Sequence, residues 1–150
     1  MVRVKYRYFL TTLRYHDTSP DLDLTPHVLK SALYHAIEDY YGEIGLGHVQ
    51  GRIKIVYLAV LTGTALIRAP ADYEKQVRVS LSNVLVLRRR QCTCHVIHVG
   101  GTVRSCQKQL VSYNTNLLHR QMLECQGIER EEIRRVLERT LQEIRELCVS

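Results

Sequence analysis

RIKIVYLAVLTGTALIRA, residues 52 to 69, decides the fold of this chain. Two runs rich in β-branched and aliphatic residues, RIKIVYLAV (52–60) and TALIRA (64–69), are separated by Leu61, Thr62 and Gly63. A glycine in so short a link accepts backbone angles that other residues resist, so the chain reverses and the two runs pair antiparallel. The apolar core of this segment, residues 55–67, is 13 residues long. That is short of the ~20 needed to cross a bilayer, so no membrane role is expected.

Outward from this hairpin, the elements fall into place. VRVKYRYFL (2–10) alternates with period two. The reading puts Val2, Val4, Tyr6, Tyr8 and Leu10 on a buried face and Arg3, Lys5, Arg7 and Phe9 on an exposed one. SPDLDL (19–24) is a loop. Thr25 and Pro26 suit the N-cap and first turn of a helix whose stripe is Val28, Leu29, Ala32, Leu33, Ala36, Ile37, Tyr40 and Tyr41, with Gly42 as its stop. GEIGLGHVQG (42–51) reads as a turn, because a dinucleotide fingerprint needs another glycine spacing and the order strand, then helix.

Beyond Pro70, apolar positions 73, 77, 81, 84 and 85 predict a helix from near Asp72, with Arg88, Arg89 and Arg90 at its negative end. CTCHVIHV (92–99) predicts a fourth strand, and the segment from Gly100 turns into another helix with Cys106, Leu110, Tyr113 and Leu117 on one side. In the last helix Ile133, Val136, Leu137, Thr140, Leu141, Ile144 and Leu147 form one stripe. The order is strand, helix, strand, strand, helix, strand, then extra helices. That is α+β, a ferredoxin-like βαββαβ sandwich with additional C-terminal helices.

Charge divides the chain. Residues 1–123 carry 16 Lys and Arg against 8 Asp and Glu, whereas 124–150 carry 5 Arg against 7 Glu. The expected organisation is a basic domain over 1–123 and a C-terminal amphipathic helix over 124–150, resting on that domain or on a partner. A basic body suggests a polyanionic partner. No secretory leader pattern is seen at the start. Five cysteines with no disulfide spacing suit a reducing, intracellular setting.

CTCHVIHVGGTVRSCQK (92–108) holds the reactive side chains. On a regular strand Cys92, Cys94 and His98 share one face and His95 takes the other, and Cys92 and His98 lie ~20 Å apart. Tetrahedral zinc needs its ligands ~2.0–2.3 Å from one ion, and the C-x-C-H spacing is not that of a zinc knuckle, so no metal site is read. No C-x-x-C redox pair and no glycine-framed nucleophile are present, so no catalytic residue is assigned. Gly100, Gly101 and Thr102 are a turn before a helix. Glycines there permit positive φ and close approach, and Arg104 and Lys108 on the helix start suit a phosphate.

The row Arg3, Lys5, Arg7 repeats every ~6.6 Å, near the phosphate spacing of a nucleic-acid strand, and Arg52 and Lys54 repeat it. Like charges in a row repel, so a binding role explains them better than stability. Phe9 alone is aromatic on that face, so backbone contact should dominate over base stacking.

Three segments in order, MVRVKYRYFL (1–10), YGEIGLGHVQGRIKIVYLAVLTGTALIRA (41–69) and VIHVGGTVRSCQKQLVSYN (96–114), resemble the small Pop five-type protein subunits of ribonuclease P and RNase MRP, archaeal and eukaryotic. The resemblance spans roughly residues 1–120, and residues from 124 carry no signature of it. It implies a ferredoxin-like fold with added helices in a ribonucleoprotein that removes the 5′ leader of precursor tRNA, with the MRP particle acting on ribosomal RNA. It further implies that the RNA subunit, with magnesium, does the hydrolysis, and that the protein binds no cofactor and is no enzyme by itself. Its partners would be the catalytic RNA, precursor tRNA and other protein subunits, among them a barrel-fold one, in the nucleus and nucleolus of a eukaryote. The residues expected to meet RNA are Arg3, Lys5, Arg7, Arg52, Lys54, Gly100, Gly101, Thr102, Arg104 and Lys108. Two other classes stay open on the residues alone: a ferredoxin-like small-molecule regulatory domain, and a metal or thiol enzyme built on Cys92, Cys94, His95 and His98.

Overall fold

The structure, a computed structural model, describes residues 3–17, 19 and 21–147. Val2 and the last three residues of the expected tail segment lie outside them. The elements are β1 (Tyr6–Tyr15), α1 (Pro26–Val49), β2 (Lys54–Ala59), β3 (Thr64–Pro70), a 3-10 turn (Ala71–Tyr73), α2 (Glu74–Ser82), β4 (Val86–Leu87), β5 (Arg90–Gly100), α3 (Val103–Glu124) and α4 (Ile128–Glu146). All strand pairs are antiparallel, in the order β2-β3-β1-β5-β4. With β4 set aside as an edge ribbon, that is the ferredoxin-like sandwich read from the sequence.

The chain falls into two units, one ending at Thr102 and one starting at Val103. In the first, α1 and α2 lie on one face of the sheet. Phe9 and Leu13 of β1, Ala65, Ile67 and Ala69 of β3, and Cys92 and Cys94 of β5 meet Leu29, Leu33 and Ile37 of α1 and Val77 and Leu81 of α2 in one core. Each fully buried Phe, Leu or Ile here contributes roughly 1.5–3 kcal/mol over its exposed state. Thr25 caps α1 as expected, its hydroxyl accepting from the Val28 N–H at 3.3 Å, with Pro26 in the first turn. The second unit is a helical hairpin. The Gln107 amide near the start of α3 donates to the Ile144 carbonyl near the end of α4 at 2.7 Å, so the two helices run antiparallel. Every residue of the α4 stripe is at least half-buried, and Thr140 and Ile144 are buried.

Three expectations are corrected. The faces of β1 are misread in part: Leu10 is buried as expected, but Phe9 is fully buried in the core as well, while Val4, ahead of the strand, is 58% exposed. Because β1 is central, flanked by β3 and β5, Leu10 on its other face is buried too, so alternation cannot show which face meets the helices. Leu66, the β3 partner of Leu10, is likewise without exposed surface. The segment 42–51 is not simply a turn. Gly42, at φ 72° and ψ −173°, breaks the helix as read, but helix resumes and runs to Val49. Finally, the helix after Pro70 stops at Ser82, where the Asn83 side chain donates to the Val79 carbonyl at 2.7 Å. Residues 84–92 then form a hairpin, so Arg88–Arg90 do not sit at a helix end.

Candidate nucleic-acid interface

Antiparallel pairing brings distant parts of the chain to one end of the sheet. Tyr6 faces Pro70, Lys54 faces Arg68, and Tyr8 faces Gly100. The start of β1, the start of β2, the end of β3 and the end of β5 therefore converge there. Arg3, Lys5 and Arg7, Arg52 and Lys54, and Gly100 to Thr102 arrive with them.

Their individual settings differ from the sequence reading. Arg3 and Lys5 precede β1, so the ~6.6 Å strand repeat does not hold for them. They are exposed, and the Lys5 carbonyl accepts from the Ala71 N–H at 2.8 Å, which ties this lead-in to the end of β3. Arg52 is exposed in the turn before β2, and Lys54 is exposed as the first residue of that strand. Arg7 is engaged: its Nε donates to Glu74 of α2 at 3.3 Å. Both side chains are over a third exposed, so that ion pair is worth at most ~1 kcal/mol and yields readily to a stronger anion.

Gly101 lies close to Arg7. A Cβ there would stand 3.3 Å from a terminal nitrogen of Arg7, a tight contact that the flexible guanidinium relieves by shifting a few tenths of an ångström. Positive φ is not used at Gly100 or Gly101. Thr102 is exposed and ends the first unit. In the second unit, Arg104 and Lys108 are exposed one helical turn apart on α3.

One cation at this end escaped the sequence reading. Arg68 sits in the otherwise buried β3, its guanidinium 4.5 Å from the Tyr6 ring centroid, and its Nε is buried with no acceptor. Its signal was a lone charge inside an apolar strand. Stacking by Phe9 is ruled out by its burial.

At the other end of the sheet, cations are held by carboxylates. Arg88 binds the buried Asp21 and lies 3.6 Å from Asp23, and Arg90 binds Asp17 and the Ser19 carbonyl. The Arg90 guanidinium also lies over the Tyr15 ring at 4.2 Å. Burial first, and then the nearby Asp21 charge, push the Tyr15 hydroxyl up to about 12.

Residues 7–111 match the model of the Rpp14/Pop5 family. The chain belongs to that family. Ribonuclease P/MRP protein subunit POP5 of Mus musculus is 33% identical over 146 residues, covering 93% of this chain and 86% of the mouse protein. The Homo sapiens protein of the same name is 34% identical over 122 residues, covering 79% and 75%. Among solved structures, a chain of the cryo-EM structure of yeast ribonuclease MRP aligns with a TM-score of 0.52 at 17% identity, covering 97% of this chain and 98% of that chain. At that identity the likeness concerns the fold.

The Rpp14/Pop5 match begins at Arg7, so Arg3 and Lys5 precede it, and it includes Arg52, Lys54, Arg68, Gly100–Thr102, Arg104 and Lys108. In this family member the Cys and His cluster disperses. Leu10 pairs with His98 and Thr11 with Val96, so Ile97 is a bulge residue. A bulge shifts the alternation by one. His98 pairs with Leu10 and His95 with Thr12, which puts both histidines on the face opposite Cys92 and Cys94, correcting the expected sharing of a face by Cys92, Cys94 and His98. The Cys92 thiol donates to the Val84 carbonyl at 3.7 Å, and hydrogen bonding with Cys92, then burial, push the Cys94 thiol well up. A buried thiol held protonated is a poor nucleophile. Among the described residues no three His, Cys, Asp or Glu side chains group as a metal would need.

Proposed function

We propose that this Rpp14/Pop5-family chain is a non-catalytic protein subunit of the ribonuclease P and RNase MRP ribonucleoproteins. In this reading it supports the catalytic RNA in 5′ leader removal from precursor tRNA and in ribosomal RNA processing. The RNA supplies the phosphodiester hydrolysis and holds the magnesium. The partners are that RNA, precursor tRNA and other protein subunits, including a barrel-fold one, and the setting is the nucleus and nucleolus of a eukaryotic cell.

The observation that carries the reading is the convergence of Arg3, Lys5, Arg7, Arg52 and Lys54 at one end of the sheet beside Gly100–Thr102, in a member of this family. Four of these five cations are without an ion pair among the described residues. Exposed cations so placed neutralise phosphates and release counterions, which makes affinity fall with salt. Arg104 and Lys108 extend the same chemistry on α3, and Arg68 adds a guanidinium at the same sheet end.

The test is a titration of transcribed ribonuclease P RNA with the full chain across a salt series. Combined Arg3→Ala, Lys5→Ala and Arg7→Ala substitution should flatten the log K against log salt plot by ~0.7–0.9 for each phosphate no longer neutralised. Unfolding midpoints should shift little, since Arg3 and Lys5 are exposed and the Arg7–Glu74 pair is worth at most ~1 kcal/mol. An unchanged slope removes these three residues from the interface.

A further inference from the structure

Arg88 and Arg89 are the two non-glycine positive-φ residues among those described, at φ 49° and 63°. They are the whole loop between Leu87 and Arg90, which pair across the β4–β5 hairpin. A two-residue hairpin loop with both φ values positive is a type I′ turn, which favours Asn-Gly because other side chains crowd the backbone there. Two arginines are a poor choice for folding, so each needs a reason.

Arg88 has one in the structure, its bond to the buried carboxylate of Asp21. Arg90, just past the turn, is held by Asp17, Ser19 and the Tyr15 ring. Arg89 has none: it is exposed and, among the described residues, makes no ion pair or hydrogen bond. Two anchored arginines thus flank a free one on a backbone that resists its placement. Strain retained without an internal compensation points to a role outside the molecule.

We propose that Arg89 is a second phosphate-binding point for RNA, presented by the strained hairpin at the end of the sheet opposite the Arg3–Lys5–Arg7 cluster. This rests on the ribonucleoprotein reading above. A guanidinium offers a planar fork matched to phosphate oxygens, and the anchoring of its neighbours fixes the turn before RNA arrives, which lowers the ordering cost of binding. The 11 residues of β5 separate the two points by about 35 Å. That exceeds the Debye length of ~8 Å at physiological salt, so the two points act independently. A structured RNA is a polyanion long enough to reach both.

The experiment uses the full chain and transcribed ribonuclease P RNA. Arg89→Gly suits the turn, so its melting temperature should equal or exceed that of the parent. Its salt slope should nonetheless fall by ~0.7–0.9, and Arg89→Lys, which keeps the charge, should recover the slope. Arg89→Asn, also at ease with positive φ, is the second variant and should behave as Arg89→Gly. An unchanged slope in both overturns the proposal, including the case where either one instead loses retention of an acidic protein subunit. If the Arg3/Lys5/Arg7 substitutions flatten the slope and Arg89→Gly does not, this inference alone fails. If neither does, the RNA-contact part of the proposed function fails with it.

Discussion

Where β1 begins, Arg3, Lys5, Arg52 and Lys54 stand exposed, with no ion pair among the described residues. Where β1 ends, Arg88 and Arg90 are held by Asp21, Asp23 and Asp17. The same type of charge therefore sits in two different settings at the two ends of one sheet. At the first end these four have no ion-pair partner among the described residues, and in the proposed function RNA phosphate takes that place. At the second end the partner is a nearby carboxylate, and the gain goes into shaping the loops. Counting cations along the sequence cannot separate the two; position relative to acidic side chains does.

If the paired cations Arg88 and Arg90 serve the fold, changes to the residues around them, Arg89 apart, should cost stability and spare RNA binding. The largest effect is expected at Gly63, in the β2–β3 turn at that end. Gly63 has φ 65°, its carbonyl accepts from the Leu13 N–H at 2.6 Å, and a Cβ on it would stand 2.5 Å from the Leu13 carbonyl oxygen. Gly63→Ala combines backbone strain with a clash against main chain that cannot swing aside, so it should destabilise by about 2–4 kcal/mol in urea denaturation. A loss below ~1 kcal/mol would mean that this end is more pliant than its geometry indicates.

Next comes Asp21, whose carboxylate is 5% exposed and accepts from Arg88, the Tyr15 hydroxyl and the Asp23 N–H. Asp21→Ala strands those donors and should cost about 2–3 kcal/mol. The salt slope of RNA binding should stay where it was. A slope that rises would show that freeing Arg88 adds a phosphate contact, which sharpens the comparison, because the carboxylate is then what withholds this arginine from RNA.

How much of this was legible depends on whether the signal is local. The 52–69 hairpin could be read because two apolar runs flank a short glycine link, and the start of α1 because Thr25 and Pro26 are capping residues in series. The stripe of α4 followed from helical periodicity alone. Phe9 was misplaced because Leu10 is equally buried, so a central strand shows no polar side to orient it. The 84–92 hairpin was hidden because its turn is Arg-Arg where Asn-Gly is the usual mark, and the apolar positions 81, 84 and 85 fit a helix as well. The bulge at Ile97 erased the face shared by Cys92 and His98, and no period-two count anticipates an extra residue. The candidate site itself was half legible. Its cations stood out as types, but their meeting depends on the order β2-β3-β1-β5, which no short window contains.

The smallest expected effect tests the comparison most directly, through Asp17. Hydrogen bonding from the Arg90 guanidinium, and secondarily its charge, hold the Asp17 carboxyl below its ordinary value. A carboxyl whose folded pKa is depressed adds stability that is present above the unfolded pKa, ~3.9, and is lost as pH falls through the folded one. The pair is open to solvent, so the change in stability should be slight, and the direct measurement is a carbon-detected NMR titration of Asp17. Its midpoint should lie below that of an ordinary aspartate and move up in Arg90→Gln. An Asp17 that titrates normally in the parent would mean that Arg90 spends most of its time unpaired in solution. The second end would then have a further cation besides Arg89 to offer RNA, and the contrast between the paired and unpaired cations would shrink to the buried Asp21 alone.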